Sequence, residues 1–165
     1  GIAPCRGEAL SGPRLSFITR SKVSLNRPGR FVINEAAVLA ALRRSSGHGR
    51  PTGTVQTVTF EQLPLHMQWQ AVARTDVLVG VHGAGLANAI FLPRCGTLVE
   101  VVPAISKGKK PLLGMYTQTV SKGHHFSLMD ESGCCGFHYN LTLDLQNLSA
   151  VVEKARERWW RCSAG

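Results

Sequence analysis

The stretch Val77-Leu-Val-Gly-Val81 runs without a polar side chain into His82-Gly-Ala-Gly-Leu-Ala-Asn88, and no other feature constrains the fold as tightly. A short, wholly apolar run is what a strand needs when helices cover both faces of a parallel sheet. Gly83 and Gly85 then turn the chain at once into a short helix predicted to end at Leu92-Pro93. Strand, tight turn and helix form the repeating unit of an α/β sheet.

The rest of the chain supplies more such units. Leu15–Thr19 is a short β-prone run, and a loop over 21–29 leads to Phe31-Val32-Ile33. Asn34 stands in the N-cap position before Glu35–Arg44, where alanine and leucine favour helix and the charges suit the helix ends. The run 45–53 ends that helix. Thr54–Phe60 alternates as a strand, and Leu65–Arg74 reads as a helix. Thr97–Val102 is a strand broken by Pro103, and His125–Met129 is a further one. A basic loop over 104–110 precedes a helix starting at Pro111. Asp144 caps a last helix with Leu145, Leu148, Val151, Val152, Ala155 and Trp159 at helical spacing. The expected class is α/β and Rossmann-like, a mostly parallel sheet with helices on both faces. Residues 1–14 read as a linker or frayed terminus, and 15–165 as a single nucleotide-binding domain. At 165 residues and 44% apolar, the chain is long enough to bury a core.

Charge is uneven. Residues 1–50 hold nine Lys and Arg against Glu8 and Glu35, while the whole chain has a net charge of +9. Such a basic half implies an anionic partner, or a surface that keeps the chain in solution. No run of about 18 apolar residues is present. The chain opens Gly1-Ile-Ala-Pro without a starting Met or a signal-peptide core, so it reads as a piece of something longer.

The cysteines at 5, 95, 134, 135 and 162 fit no zinc or redox spacing. Cys134 and Cys135 stand near His124, His125 and His138, which suggests a metal only loosely. Cys95, in a turn after Pro93-Arg94, reads as a packing residue. Asn140-Leu-Thr142 and Asn147-Leu-Ser149 are glycosylation sequons, which matter in a secretory lumen.

The glycine turn carries the chemistry. Gly83, Ala84, Gly85 and Leu86 offer backbone N–H groups at a helix start, where a phosphate or diphosphate is the natural guest. In an open α/β sheet, ligands bind at this same C-terminal edge. The alternative is tight strand–helix packing without a ligand. Asn88 takes the place of the third glycine of a dinucleotide motif, and no P-loop lysine follows. The His-Gly-Ala-Gly run also resembles an esterase oxyanion loop, but no Gly-x-Ser-x-Gly elbow accompanies it. Arg20, at the end of the first strand, can take a phosphate bidentately or stand as a surface residue. Glu100 lies in the apolar strand Leu-Val-Glu-Val-Val, where sugar hydroxyls or a structural ion pair would satisfy its carboxylate. His82 is a candidate ligand contact, proton-transfer group or structural histidine.

An ordered set of segments resembles a known family. It comprises Phe-Ile-Thr-Arg20, Arg30-Phe-Val-Ile-Asn34-Glu35, Gln68, the run from Thr75-Asp76 through His82-Gly-Ala-Gly-Leu-Ala-Asn88, Phe91-Leu-Pro93, and Gly96-Thr-Leu-Val-Glu100-Val-Val-Pro103. Together these look like the glycosyltransferase 61 family, over about residues 15–130. The resemblance implies the C-terminal, donor-binding half of a two-domain GT-B enzyme. Such an enzyme inverts the sugar configuration, uses a UDP-sugar, and works in the lumen of the Golgi or endoplasmic reticulum. It implies a glycan or glycoprotein acceptor and an N-terminal domain that this chain does not include. An inverting transfer needs a base and a stabiliser of the departing diphosphate. Arg20 and the Gly83–Leu86 turn would supply the second, and His82 is the local candidate for the first. No Asp-x-Asp pair occurs, so no obligatory metal or other cofactor is expected. A non-catalytic nucleotide-binding module is the next reading. A nucleic-acid-binding domain is disfavoured, because the basic stretch holds only Phe17 and Phe31 as aromatic stacking platforms.

Overall fold

A computed structural model of the chain describes residues 12–20, 31–44, 50–103, 124–130 and 140–165. Along them run β1 (Leu15–Ile18), α1 (Glu35–Arg44), β2 (Val55–Val58), α2 (Leu65–Ala73), β3 (Val77–Val81), β4 (Thr97–Pro103), β5 (His125–Asp130) and α3 (Leu145–Ser163). Short 3-10 segments cover Phe60–Gln62 and Ala84–Phe91. The loop 21–29, the basic loop 104–110, the helix expected from Pro111, and Cys134, Cys135 and His138 lie outside the described residues.

The five strands form one sheet in the order β2-β1-β3-β4-β5. Every pairing is parallel. The expected α/β, Rossmann-like class is therefore what the chain adopts. Because side chains alternate along each strand, the two faces bury two separate clusters. Leu15, Phe17, Val79 and Val101 pack with Val38 and Leu42 of α1 and with Leu148 and Val152 of α3. On the other face, Leu78 and Leu98 pack with Val72 of α2 and with Leu86 and Ala89 of the second 3-10 segment. All seven residues of β4 are buried, as a strand covered on both faces requires.

The chain first moves outward from β1 to β2, then returns past β1 to lay down β3, β4 and β5. The order therefore reverses between β1 and β3. At such a switch point the flanking connections leave on opposite faces, and a crevice opens outside the strand ends.

Several local details differ from the expectations. The strand expected over Thr54–Phe60 is β2 and stops at Val58, and Phe60 enters a 3-10 turn that places its ring in the core. The helix after the glycine turn is 3-10 along Ala84–Phe91, with the Leu86 N–H donating to the Gly83 carbonyl at 2.9 Å. Asn34 holds the N-cap position only through its carbonyl, which accepts from the Val38 N–H at 3.0 Å. Its side chain instead pairs with the Leu143 backbone, donating at 2.8 Å and accepting at 3.0 Å. This amide pair extends the Val32–Leu141 bridge and fastens the start of α1 to the approach of α3. Asp144 caps α3 as expected, accepting from the N–H groups of Gln146 and Asn147.

Cys95 does more than pack. It is joined to Cys162 by a disulfide with a Cα–Cα distance of 5.6 Å. The bond ties the turn before β4 to the end of α3. At the opposite edge from the crevice, Asp76 accepts from the Arg14 backbone N–H at 2.8 Å and from its guanidinium at 2.9 and 3.0 Å. Gly53 lies nearby with φ +76°, and a Cβ there would meet the Pro13 carbonyl at 1.9 Å. Only glycine fits that position.

Candidate functional site

The crevice at the switch point is built from strand ends. β1 delivers Thr19 and Arg20, β3 delivers Gly83 and Gly85, and α1 contributes Glu35 from its first turn. These residues, with Glu61 from the turn after β2, line one cavity. The floor is apolar, formed by Ile18, Val81 and Leu86. Thr19 Oγ1 donates to Glu35 Oε2 at 2.6 Å, which fixes that carboxylate at the wall. A guanidinium, a glycine-rich backbone and two carboxylates thus share one opening. The first two suit phosphate oxygens, while the carboxylates suit hydroxyl groups as acceptors.

Four of the residues singled out in the sequence come together here: Arg20, Gly83, Gly85 and Leu86. Ala84 is exposed beside them. Glycine at 85 has a packing reason as well, since a Cβ would stand 3.1 Å from Cδ2 of Phe60.

His82, Glu100 and Asn88 do not line this cavity. The His82 backbone N–H donates to the Val101 carbonyl at 2.8 Å. Its side chain is 6% exposed, and Nδ1 is bonded to Oε1 of Glu100. Glu100 is fully buried, and its other oxygen accepts from Nε2 of His125 at 2.8 Å. Burial alone would raise the Glu100 pKa, but the hydrogen bonds from His125 and His82, with their charge, hold it below the ordinary value of 4.5. The carboxylate therefore has its partners inside the protein, as a buried charge requires.

Asn88 Nδ2 donates to Gln68 Oε1 at 3.0 Å. The Gln68 amide in turn donates to the carbonyls of Phe60 and Leu63 at 3.0 and 2.9 Å. Asn88 and Gln68 thus fasten the 3-10 segment after the glycine turn to α2. Asn140 and Asn147 are both exposed. The Asn147 amide, however, donates to Asp144 Oδ2 at 3.0 Å within the first turn of α3.

The sequence does not place Glu35 or Glu61 at a ligand, nor pair His125 with Glu100. Glu35 is explained there by its favourable place in a helix first turn. The available signal was position: Glu61 follows β2 by three residues, on the edge where ligands bind. His125 gave no such signal, because only the β4–β5 pairing brings it to Glu100. Among the described residues, no group of three or more His, Cys, Asp or Glu is arranged to hold a metal ion. Among the same residues, no helix is long and apolar enough to cross a membrane.

The sequence model of the family described as "Glycosyltransferase 61" matches residues 3–99. The chain is 30% identical over 141 residues to the EGF domain-specific O-linked N-acetylglucosamine transferase of Drosophila melanogaster, a match covering 78% of this chain and 25% of that protein. It is 34% identical over 74 residues to the human protein O-linked-mannose beta-1,4-N-acetylglucosaminyltransferase 2, covering 45% of this chain and 12% of the relative. A shorter match, 53% over 34 residues, links it to the alpha-1,3-arabinosyltransferase XAT2 of Oryza sativa subsp. japonica, covering 21% of this chain and 6% of that one. The chain spans about a quarter of the length of the fly relative.

Proposed function

The chain belongs to the glycosyltransferase 61 family, and from that premise we propose that it is the donor-binding half of an inverting enzyme that moves a sugar from a UDP-sugar to a protein- or polysaccharide-linked acceptor. One observation carries this reading: the cavity at the β1–β3 switch point combines Arg20 with Gly83, Gly85 and Leu86 of the glycine turn. The leaving group of the transfer is a diphosphate. Its negative charge grows as the glycosidic bond breaks, so pre-placed donors lower the barrier. The Arg20 guanidinium and the Gly85 backbone N–H are such donors, the Leu86 N–H being held by the Gly83 carbonyl, and they need no metal to act. Glu35 and Glu61 supply acceptors for the hydroxyls of the ribose or the sugar.

The reading moves His82 away from proton transfer. Its imidazole is bonded to Glu100 and does not line the cavity, so its part is to hold the turn that grips the phosphates. The partners are a nucleotide-sugar donor and a glycan or glycoprotein acceptor, completed by an acceptor-binding domain. The compartment is the lumen of the Golgi or endoplasmic reticulum. The Cys95–Cys162 disulfide supports this, since such bonds persist in oxidising compartments. The exposed Asn140 sequon supports it too.

Thermal melting with UDP, and separately with single-stranded DNA, at low and moderate salt tests the reading. UDP is expected to raise Tm at both salts by linkage. Stabilisation by DNA alone, collapsing as salt rises, would turn the basic surface into the functional one and sink the proposal.

A further inference from the structure

Where β3, β4 and β5 meet near the glycine turn, a carboxylate stands fully buried within the sheet. There Glu100 accepts from two imidazoles at once, Nδ1 of His82 on Oε1 and Nε2 of His125 on Oε2. The neighbouring β4 side chains are Leu98, Val99, Val101 and Val102, all fully buried. A leucine in place of Glu100 would fill such a position with no charge to desolvate, and replacing buried ionic groups by apolar ones is often stabilising. A buried His–Glu–His cluster therefore needs a reason beyond packing. Its position suggests one. His82 is the residue from which the glycine turn leaves the sheet, and Gly83 and Gly85 line the cavity one and three residues later.

We propose that His125 is a positioning residue for the glycine turn. It donates to one oxygen of Glu100, which fixes the carboxylate. The carboxylate fixes the His82 ring, and so the backbone of Gly83 and Gly85 is set at the cavity wall. Without His125, one oxygen of a buried carboxylate loses its donor. Glu100 then rotates toward whatever donor remains, and the His82 ring follows it. The proposal rests on the reading of the cavity as a phosphate site only for its consequence on binding. The mechanical link from His125 to the turn stands on the hydrogen bonds themselves.

Two variants separate this role from packing. His125→Gln keeps an amide N–H that reaches the Glu100 oxygen, and His125→Leu keeps bulk without a donor. In ring-nitrogen NMR of the unsubstituted chain, the hydrogen is expected on Nδ1 of His82 and on Nε2 of His125. A His82 ring carrying hydrogen on Nε2 alone would overturn the proposal without any substitution. The backbone amide signals of Gly83 and Gly85 should move in His125→Leu and return toward the parent in His125→Gln. UDP affinity should fall about tenfold in His125→Leu and stay within about threefold of the parent in His125→Gln. Equal amide shifts or equal affinities in both variants would mean that His125 only packs. If His125→Leu does not fold, the parent ring spectrum and the Gln variant decide. If the parent binds no UDP, the phosphate reading falls, while the ring and glycine signals still decide the role of His125.

Discussion

Nδ1 of His82 is bonded to Oε1 of Glu100 across the β3–β4 pair, and Glu100 is fully buried with its second oxygen on His125. The carboxylate must be ionised to accept from both rings, so its ionisation is linked to folding. Its folded pKa lies below the ordinary 4.5, with burial opposing and the His125 and His82 hydrogen bonds outweighing it. A depressed carboxyl pKa contributes stability that is fully present above the unfolded value. That stability is lost as pH falls through the folded value. Urea unfolding of the parent and of Glu100→Gln should therefore differ most above the ordinary carboxyl range and converge as pH falls well below it. A difference that widens on acidification would contradict the assignment.

The disulfide between Cys95 and Cys162 closes a loop spanning a sequence separation of 67. Chain-entropy reasoning puts its contribution at roughly 4 kcal/mol as an upper figure. Reduction, or the Cys95→Ser and Cys162→Ser pair, should lower the urea midpoint and steepen the slope, as the denatured chain expands. A midpoint that does not respond to reductant would show that the bond does not form in solution.

Asn34 and the Leu143 backbone exchange two hydrogen bonds at a site where Leu143 is only 3% exposed. Asn34→Ala leaves both backbone groups without that partner, at a cost of about 1–3 kcal/mol. Asn34→Asp keeps the acceptor and loses the donor, so it should fall between the two. An alanine variant as stable as the parent in chemical unfolding would show that water replaces the amide there.

This pair also shows what the sequence could and could not reveal. The glycine turn, the buried β3 and the cap at Asp144 were legible because each depends on neighbours a few residues away. Asn34 falls at the N-cap position for the same local reason, but the partner of its side chain lies 109 positions along the chain. The partners of His125 and Cys95 are hidden for the same reason. A β4–β5 register and the approach of the α3 terminus decide their partners, and neither leaves a periodic signal. The β1–β3 switch point needed the strand order, which pattern alone does not supply. Once that order is known, Arg20 and Gly83 fall on one cavity by the geometry of a parallel sheet.

Secretory expression should add one glycan, at Asn140. Asn147 shares the lumen but sits in the first turn of α3, where its amide donates to Asp144. Glycosidase treatment should therefore remove a mass matching a single glycan. That loss should vanish in Asn140→Gln and persist in Asn147→Gln. A mass unchanged by glycosidase would count against luminal passage.

Gly85→Val places a branched side chain where a Cβ alone would stand 3.1 Å from the Phe60 ring. The expected cost is about 1–3 kcal/mol of overpacking, together with loss of UDP binding. Gly85→Ala should be milder, the Phe60 ring giving by a few tenths of an ångström. Melting followed by circular dichroism checks both. A valine variant that melts like the parent would mean that Phe60 is free to move aside.

Calorimetric titration with UDP of the parent and of Arg20→Ala bears most directly on the placement of the phosphates. Arg20 stands at a strand end beside the Gly83 and Gly85 backbone, so its truncation removes a charge-assisted contact worth about 1.5–3 kcal/mol without opening a cavity. The account predicts saturable UDP binding by the parent, affinity weaker by about 10- to 100-fold in Arg20→Ala, and the same melting temperature for both. No heat from the parent at millimolar UDP, or equal affinity in the two proteins, would contradict it.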